Sequence, residues 1–250
     1  MTYPDDPAAQ PVNDGINESG RLTASTSDTW DRAAASYDTE REQDAVYQAC
    51  VAAVARAVQD RNPRRLLDVG CGTGLTTLPL CRAGRTVVAV DFSLASLAVL
   101  RNKTAAPPVL QADVRALPFL AETFDVVLCA NTLQHLRPDQ QVLAVHDLER
   151  LVAPGGALVV SVHHYSKAKQ RAGWIKEGRP GQPGIDYIYR FAAGDLRRIL
   201  PEAHITAIGF GEWPWLPAAA QKELSHSVAG PYLAKQGYGH MLLAVQQRKP

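Results

Sequence analysis

The chain has 250 residues and a mass of 27.1 kDa, with 46% hydrophobic against 20% charged residues, enough apolar material for a large core and too much for wholesale disorder. Twenty-six Lys plus Arg against 25 Asp plus Glu leave a formal net charge of +1, so no global positive field is available to grip a nucleic-acid backbone. No stretch approaches the ~20 apolar residues of a membrane helix, and the first ten residues have neither a basic nor an apolar run, so a cytoplasmic protein is expected.

Residues 1–28 are rich in Asp, Asn, Pro, Ser, Thr and Gly and read as a disordered tail, leaving one domain over 29–250. Tyr47, Val51, Val54 and Val58 recur at helical spacing, a helix that ends before Pro63. Short continuous apolar runs at 66–69, 87–90, 109–110, 125–128 and 157–160 read as buried strands. Helix-like stretches fill three of the intervals, Leu75 to Arg82, Leu94 to Asn102 and Gln140 to Val152, while the remaining one is a loop around Pro118. Strand and helix in alternation mean a doubly wound α/β sheet with helices on both faces. After the fifth strand comes an irregular insert at about 164–190, then a short helix (Leu196 to Leu200) and two late strands, His204 to Phe210 and Met241 to Val245.

Cys50, Cys71, Cys81 and Cys129 form no C-x-x-C pair and have no His at ligand spacing, so neither a metal site nor a disulfide framework is expected. Chemistry concentrates instead at the join of the first strand and first helix, where Asp68-Val69-Gly70-Cys71-Gly72-Thr73-Gly74 stands at the nucleotide-binding position of a doubly wound sheet. Its glycines permit a tight turn and close ligand approach, and the N-terminus of the following helix would favour a negative group. Asp91 closes the second strand 17 residues after Gly74, where a carboxylate can accept both hydroxyls of a ribose. A dinucleotide fingerprint requires a third glycine where this chain has Leu75, which weakens a nicotinamide-dependent oxidoreductase without removing it.

These residues resemble the class I S-adenosylmethionine-dependent methyltransferases, in particular the ubiquinone and menaquinone methyltransferase-like small-molecule group. The similarity runs in order through residues 66–74, 88–93, 111–119, 124–127 and 151–156, with 30–38 similar to the segment lying over the cofactor. It implies a Rossmann-like, mostly parallel sheet with an antiparallel last strand and a substrate cap after the fifth strand. By the same resemblance S-adenosyl-L-methionine is held by the first motif (Asp68, Gly70, Cys71, Gly72, Gly74), its methionine moiety against Gly70 and Gly72 with Tyr37 near the carboxylate. Asp91 holds the ribose, Phe92 the adenine face, Asp113 the exocyclic amine and Val114 the ring edge, and Asn131 lies near the sulfonium.

Methyl transfer from a sulfonium is an in-line displacement in which orientation supplies much of the rate, and a base is needed only if the acceptor must lose a proton. His135, after the fourth strand, titrates close enough to neutrality to serve, and His163 and His164, leaving the fifth, are further candidates. Only three aromatic residues lie between 64 and 163 but ten from 164 onward; Tyr165, Trp174, Tyr187, Tyr189, Trp213 and Trp215 are candidates to line an acceptor pocket. A small-molecule acceptor follows, quinone-like or a secondary metabolite, with nucleic acid disfavoured and a homodimer compatible. A tRNA-modifying enzyme and a non-catalytic cofactor-binding protein stay open as alternatives.

Overall fold

The structure, a computed structural model, describes residues 27–171, 173–178, 187–210 and 239–250. Residues 1–26 of the expected tail, Trp213 and Trp215 therefore lie outside the described residues, as do residues 172 and 179–186 of the expected insert, while residues 27 and 28 of that tail are helical. Helix α1 (Ser27–Glu42) begins two residues before the anticipated domain boundary. It is followed by α2 (Ala45–Gln59), whose N-cap Asp44 accepts from the backbone N–H groups of Val46 and Tyr47 at 3.0 and 2.9 Å.

The remaining elements follow as β1 (Arg65–Val69), β2 (Thr86–Asp91), α3 (Leu94–Arg101), β3 (Val109–Gln111), β4 (Phe124–Ala130), α4 (Pro138–Leu151) and β5 (Val152–His163). Then come α5 (Lys167–Arg171), a two-residue pairing of β6 (Glu177–Gly178) with β7 (Ile188–Tyr189), α6 (Ala193–Ile199), β8 (His204–Phe210) and β9 (Gly239–Gln247). Seven strands form one sheet in the order β3-β2-β1-β4-β5-β9-β8. The first five pair in parallel, and β9 runs antiparallel between β5 and β8. This is the expected doubly wound, mostly parallel architecture. Strand order reverses between β1 and β4, which opens a crevice at the carboxyl ends of those strands.

Both faces of the sheet are covered. Leu66, Val87, Val126, Leu128 and Val159 pack under α2, whose Tyr47, Val51, Val54 and Val58 form the apolar stripe read from the sequence. On the same face α3 covers Ala89 with Leu97 and Leu100. Leu67, Val69, Val90, Val127 and Val160 point to the opposite face, under α4 and α6. Strand parity thus sends alternate residues of β1 into two different cores.

Two expectations need correction. The stretch Leu75 to Arg82 is not an α-helix but a series of turns with one 3-10 turn at Leu78–Leu80. Pro79 removes a backbone donor in mid-segment, and the β-branched Thr76 and Thr77 disfavour a helix, so no macrodipole points at the glycine loop. Strand β3 is an exposed sheet edge rather than a buried strand. Among the described residues, no helix is long and apolar enough to cross a membrane.

Leu128, fully buried between Asp68 of β1 and Val159 of β5, tests the central packing. Leu128→Ala should cost about 3 kcal/mol through its cavity, lowering the melting temperature by roughly 6–12 °C in a calorimetric scan.

Candidate functional site

A cleft opens at the carboxyl ends of β1, β2 and β4 and is covered by α1; of the expected cofactor residues it is lined by Tyr37, Asp68, Gly70, Cys71, Gly72, Asp91, Phe92, Asp113, Val114 and Asn131. Its floor is the loop after β1. There the N–H groups of Gly70 and Cys71 both donate to the Val90 carbonyl, at 2.7 and 3.0 Å, folding the loop back over β2. Asp91 then accepts from the Gly72 N–H at 2.8 Å and, through its other oxygen, from the Ser93 N–H at 2.9 Å. Burial pushes the Asp91 carboxyl up, while the backbone donors of Ser93, Gly72 and Phe92 pull it back down. Each carboxylate oxygen keeps a second lone pair for a ligand hydroxyl.

The three glycines of the loop serve different ends. A side chain at Gly70 would fall 1.9 Å from Thr132 Oγ1, and one at Gly74 would fall 2.4 Å from Leu100 of α3, so both are set by close packing. Gly74 does not line the cleft, which corrects its expected place among the cofactor residues. Gly72 has φ +53° and open space where a Cβ would stand, so its bare backbone faces the cleft.

Asp68, at the end of β1, is buried; its Oδ2 accepts from Thr77 Oγ1 at 2.6 Å, whereas Oδ1 has no partner among the described residues. Burial, with Asp91 adding to it, raises its carboxyl to about 7 despite the Thr77 bond. An unpaired buried carboxylate oxygen calls for a cationic donor, and the ammonium of an amino-acid tail is one. With Asp91 presenting acceptors to a diol and Gly72 leaving a cradle that a Cβ would fill, the residues present fit S-adenosylmethionine.

Helix α1 is tied over this floor at two points. Asp31 accepts from Ser93 Oγ at 2.6 Å and from the Ala95 N–H at 3.1 Å, at the first turn of α3. Asp38 accepts from Thr73 Oγ1 at 2.5 Å and pairs with Lys103, which also donates to the Thr73 carbonyl at 2.7 Å. These bonds hold Trp30 and Tyr37 on the cleft wall, where the Tyr37 and Tyr47 hydroxyls meet at 3.4 Å. Tyr47 is a cleft residue that the sequence pattern assigned only to the core stripe of α2; its phenol oxygen among Val and Ala was the signal. At the far end Phe92, Val114 and Asp113 lie together. Arg115 holds the Asp113 carboxylate through Nε at 2.8 Å and Nη2 at 2.5 Å, and keeps it below the usual carboxylate range.

Asn131 follows β4 in a left-handed conformation (φ +55°), its N–H donating to Ser161 and its Oδ1 buried without a partner among the described residues. His135 stands beside it on the cleft wall, ring edge against Trp30 at 4.6 Å between centroids. Its Nδ1 lies 3.2 Å from the Tyr187 carbonyl, which can only accept, so the proton is on Nδ1. Burial lowers its basicity to about 4, with Arg41 adding to the effect and the Tyr187 carbonyl opposing it. The expectation of an imidazole titrating near neutrality is thus corrected.

Of the other candidates, His163 and His164 are not among the residues lining the cleft. The His163 ring packs against His240 at 5.5 Å, and burial together with Lys169, His240 and Arg190 keeps it well below the usual imidazole range. His164 donates from Nδ1 to the Gly239 carbonyl at 3.0 Å, joining β5 to β9. Tyr187 and Tyr189 are buried in the core beneath α4 and α6, and Tyr187 reaches the site through its carbonyl alone. The Trp174 ring lies between Lys169 and Arg190, and its carbonyl accepts from the Tyr165 hydroxyl at 3.1 Å. None of these four aromatics is among the described residues that line the cleft, and of the four Tyr187 bonds to His135.

Comparison with known proteins agrees with this geometry. A methyltransferase domain model matches residues 67–160. A demethylmenaquinone methyltransferase of Streptomyces griseus is 35% identical over 52% of this chain and 57% of its own length. One from Thermus thermophilus is 37% identical over 65% of this chain and 68% of its own. The chain spans about half the length of the first relatives it matches. In structure it is similar to an S-adenosylmethionine-dependent methyltransferase of Thermotoga maritima described as a possible histamine N-methyltransferase, with a TM-score of 0.66 at 19% identity. That match covers 90% of this chain and 100% of the other.

Asp68 gives the site a pH signature. Between about pH 4 and 7 the native protein keeps a proton on Asp68 that the unfolded chain has released, so ligand-free stability falls as pH rises through that window. Asp68→Asn should lack this contribution, and the fall in melting temperature from pH 4 to pH 7 should be smaller in the mutant. An equal fall in both proteins would mean that Asp68 is ionised throughout.

Proposed function

The chain belongs to the S-adenosylmethionine-dependent methyltransferases, and we propose that it transfers a methyl group from S-adenosyl-L-methionine to a small-molecule acceptor. The observation that carries this reading is Asp91, a buried carboxylate aimed at the cleft between an unpaired carboxylate oxygen on Asp68 and the aromatic face of Phe92. Acceptors for an ammonium and for a diol, followed by a flat apolar surface, are what an amino-acid tail, a ribose and an adenine need.

When bound, the cofactor supplies an electrophilic methyl group on a sulfonium. The residues of the chain bind and orient. Asp68 Oδ1 receives the ammonium, the Asp91 oxygens receive the ribose hydroxyls, Phe92 and Val114 flank the adenine, and Asp113 takes its amine. Tyr37 and the exposed backbone of Gly72 hold the methionine end. Helix α1 excludes water from above. Asn131 and His135 remain for the reacting end, where the Nε2 lone pair of a neutral His135 accepts from the O–H or N–H of the acceptor and so aligns its nucleophilic lone pair.

An imidazole that resists protonation is a weak base. It suits an acceptor that is itself acidic, a phenol or an enol, or one that releases its proton only after the methyl has moved. Hydroxylated quinone-like aromatics have this chemistry, and the names of the Streptomyces and Thermus relatives place their substrates in the quinone class. In this scheme Tyr187 supports His135 through its carbonyl, while His163, His164, Tyr165 and Tyr189 are structural.

Calorimetric titration with S-adenosylhomocysteine, followed by a screen of hydroxylated quinones and phenols with methyl-labelled cofactor, tests the proposal. Asp91→Ala should weaken binding by about 2–3 kcal/mol, since two hydroxyls lose a charged acceptor. Unchanged affinity in a folded mutant would remove Asp91 from the site. His135→Ala should leave that affinity intact and lower kcat by roughly a hundredfold. Wild-type kcat should rise as pH increases through about 4, where His135 loses its proton, and show no His135 ionisation between pH 6 and 8.

A further inference from the structure

Gln134 immediately precedes His135 in the 3-10 turn Leu133–His135, and the residue is 2% exposed. A buried primary amide has to satisfy two donors and an acceptor, so each of its bonds constrains its surroundings. Its Oε1 accepts from the His163 N–H at the end of β5, at 2.9 Å. This bond fixes which way the amide faces, because the other end, Nε2, can only donate. Nε2 lies 3.5 Å from His135 Nε2, a long contact in which an amide N–H is directed at an imidazole nitrogen.

We propose that Gln134 is a positioning residue for methyl transfer: its amide holds the His135 imidazole neutral, with the ring proton on Nδ1 and the lone pair on Nε2. The inference rests on the role given to His135 above. The ring is gripped from both sides in the ligand-free protein, since the Tyr187 carbonyl demands an N–H at Nδ1 and the Gln134 amide faces the lone pair at Nε2, a long contact that the O–H or N–H of a bound acceptor replaces. Protonating Nε2 would set two donors face to face. Of the other titratable groups near the ring, Arg41 on α1 disfavours an imidazolium, His163 on β5 is itself kept well below the usual imidazole range and so stays neutral, and the partner across Nδ1 is a neutral carbonyl. No carboxylate bonds to the ring among the described residues.

Chemically, this arrangement keeps a positive charge out of the wall of a cleft that has to receive a sulfonium. An imidazolium there would repel the cofactor and would have no lone pair to offer the acceptor. The His163 bond also makes the tautomer depend on β5, so strand and turn must be in register before His135 is set.

Imidazole 15N NMR on the ligand-free full-length protein tests this without an acceptor. Wild type should show His135 as the Nδ1–H tautomer across neutral pH, with a midpoint far into the acid range. Gln134→Glu keeps an acceptor for the His163 N–H but turns a carboxylate oxygen toward Nε2, and should raise the His135 midpoint by about one unit or more. The near-isosteric Gln134→Met, which removes the opposing donor without adding charge, should raise it by less. In methyl-transfer assays the acid limb of kcat should move upward with the NMR midpoint in Gln134→Glu. An unmoved midpoint and tautomer in folded Gln134→Met and Gln134→Glu would overturn the proposal. A shifted midpoint together with a fully active His135→Ala would instead leave Gln134 in control of the ring and remove His135 from the reaction, so the two failures are told apart.

Discussion

The carboxylate of Asp91 is a buried anion whose balance comes from backbone N–H groups rather than from a cation, and three segments take their positions from it. Gly72 donates from the loop after β1 and Ser93 from the start of α3, while Asp91 itself ends β2. Ser93 is also the N-cap of α3, and its hydroxyl donates to Asp31 of α1. One charge therefore reaches, through two residues, the floor of the cleft, the neighbouring helix and the cover. Dipoles that solvate a carboxylate without neutralising it leave its lone pairs strong acceptors, which suits recognition of hydroxyls.

The electrostatics of the cleft divide along its length. Burial, with Asp91 adding to it, raises the proton affinity of Asp68, so in the proposed reading a cationic ligand at that end relieves the cost of its buried carboxylate. Lys103 is spent on Asp38 and the Thr73 carbonyl, outside the floor. At the reacting end a neutral imidazole, a neutral amide and an aromatic edge meet. In the proposed reading, negative charge thus lies where the ammonium would bind, and the wall at the reacting end is formed by neutral groups.

Much of this was legible in the sequence because each piece had a local cause. Continuous Val and Leu runs mark β1, β2, β4 and β5 since both faces of each are buried, and the loop from Asp68 to Gly72 with Asp91 is set by backbone geometry that composition reveals. What stayed hidden depends on contacts between distant segments. Gly70 and Gly74 look like ligand glycines, yet Thr132 and Leu100 are what forbid a side chain there. The stretch from Leu75 to Arg82 has helical spacing, but Pro79 and the pull of Asp68 on Thr77 break it into turns. His135 reads as a near-neutral base only while its burial and the carbonyl of Tyr187, 52 residues away, are unseen. Tyr187 and Tyr189 are aromatic for the core, a role that a count of rings after residue 164 cannot distinguish from ligand contact.

Strand β9 has a consequence for how the molecule comes to be made. Of the described strands of the sheet it is the last to be synthesised, yet it lies inside the sheet, between β5 and β8, and α2, which precedes the first strand, packs against β8 and β9. Among the described residues, those that line the cleft all precede residue 137, so they leave the ribosome before the late strands. Until residues 239–247 emerge, however, β5 presents an unpaired edge and the apolar stripe of α2 lacks part of its seat. Completion waits on the most non-local pairing of the fold, and a nascent chain stalled before it carries an open strand next to an uncovered helix, the combination on which chaperones act.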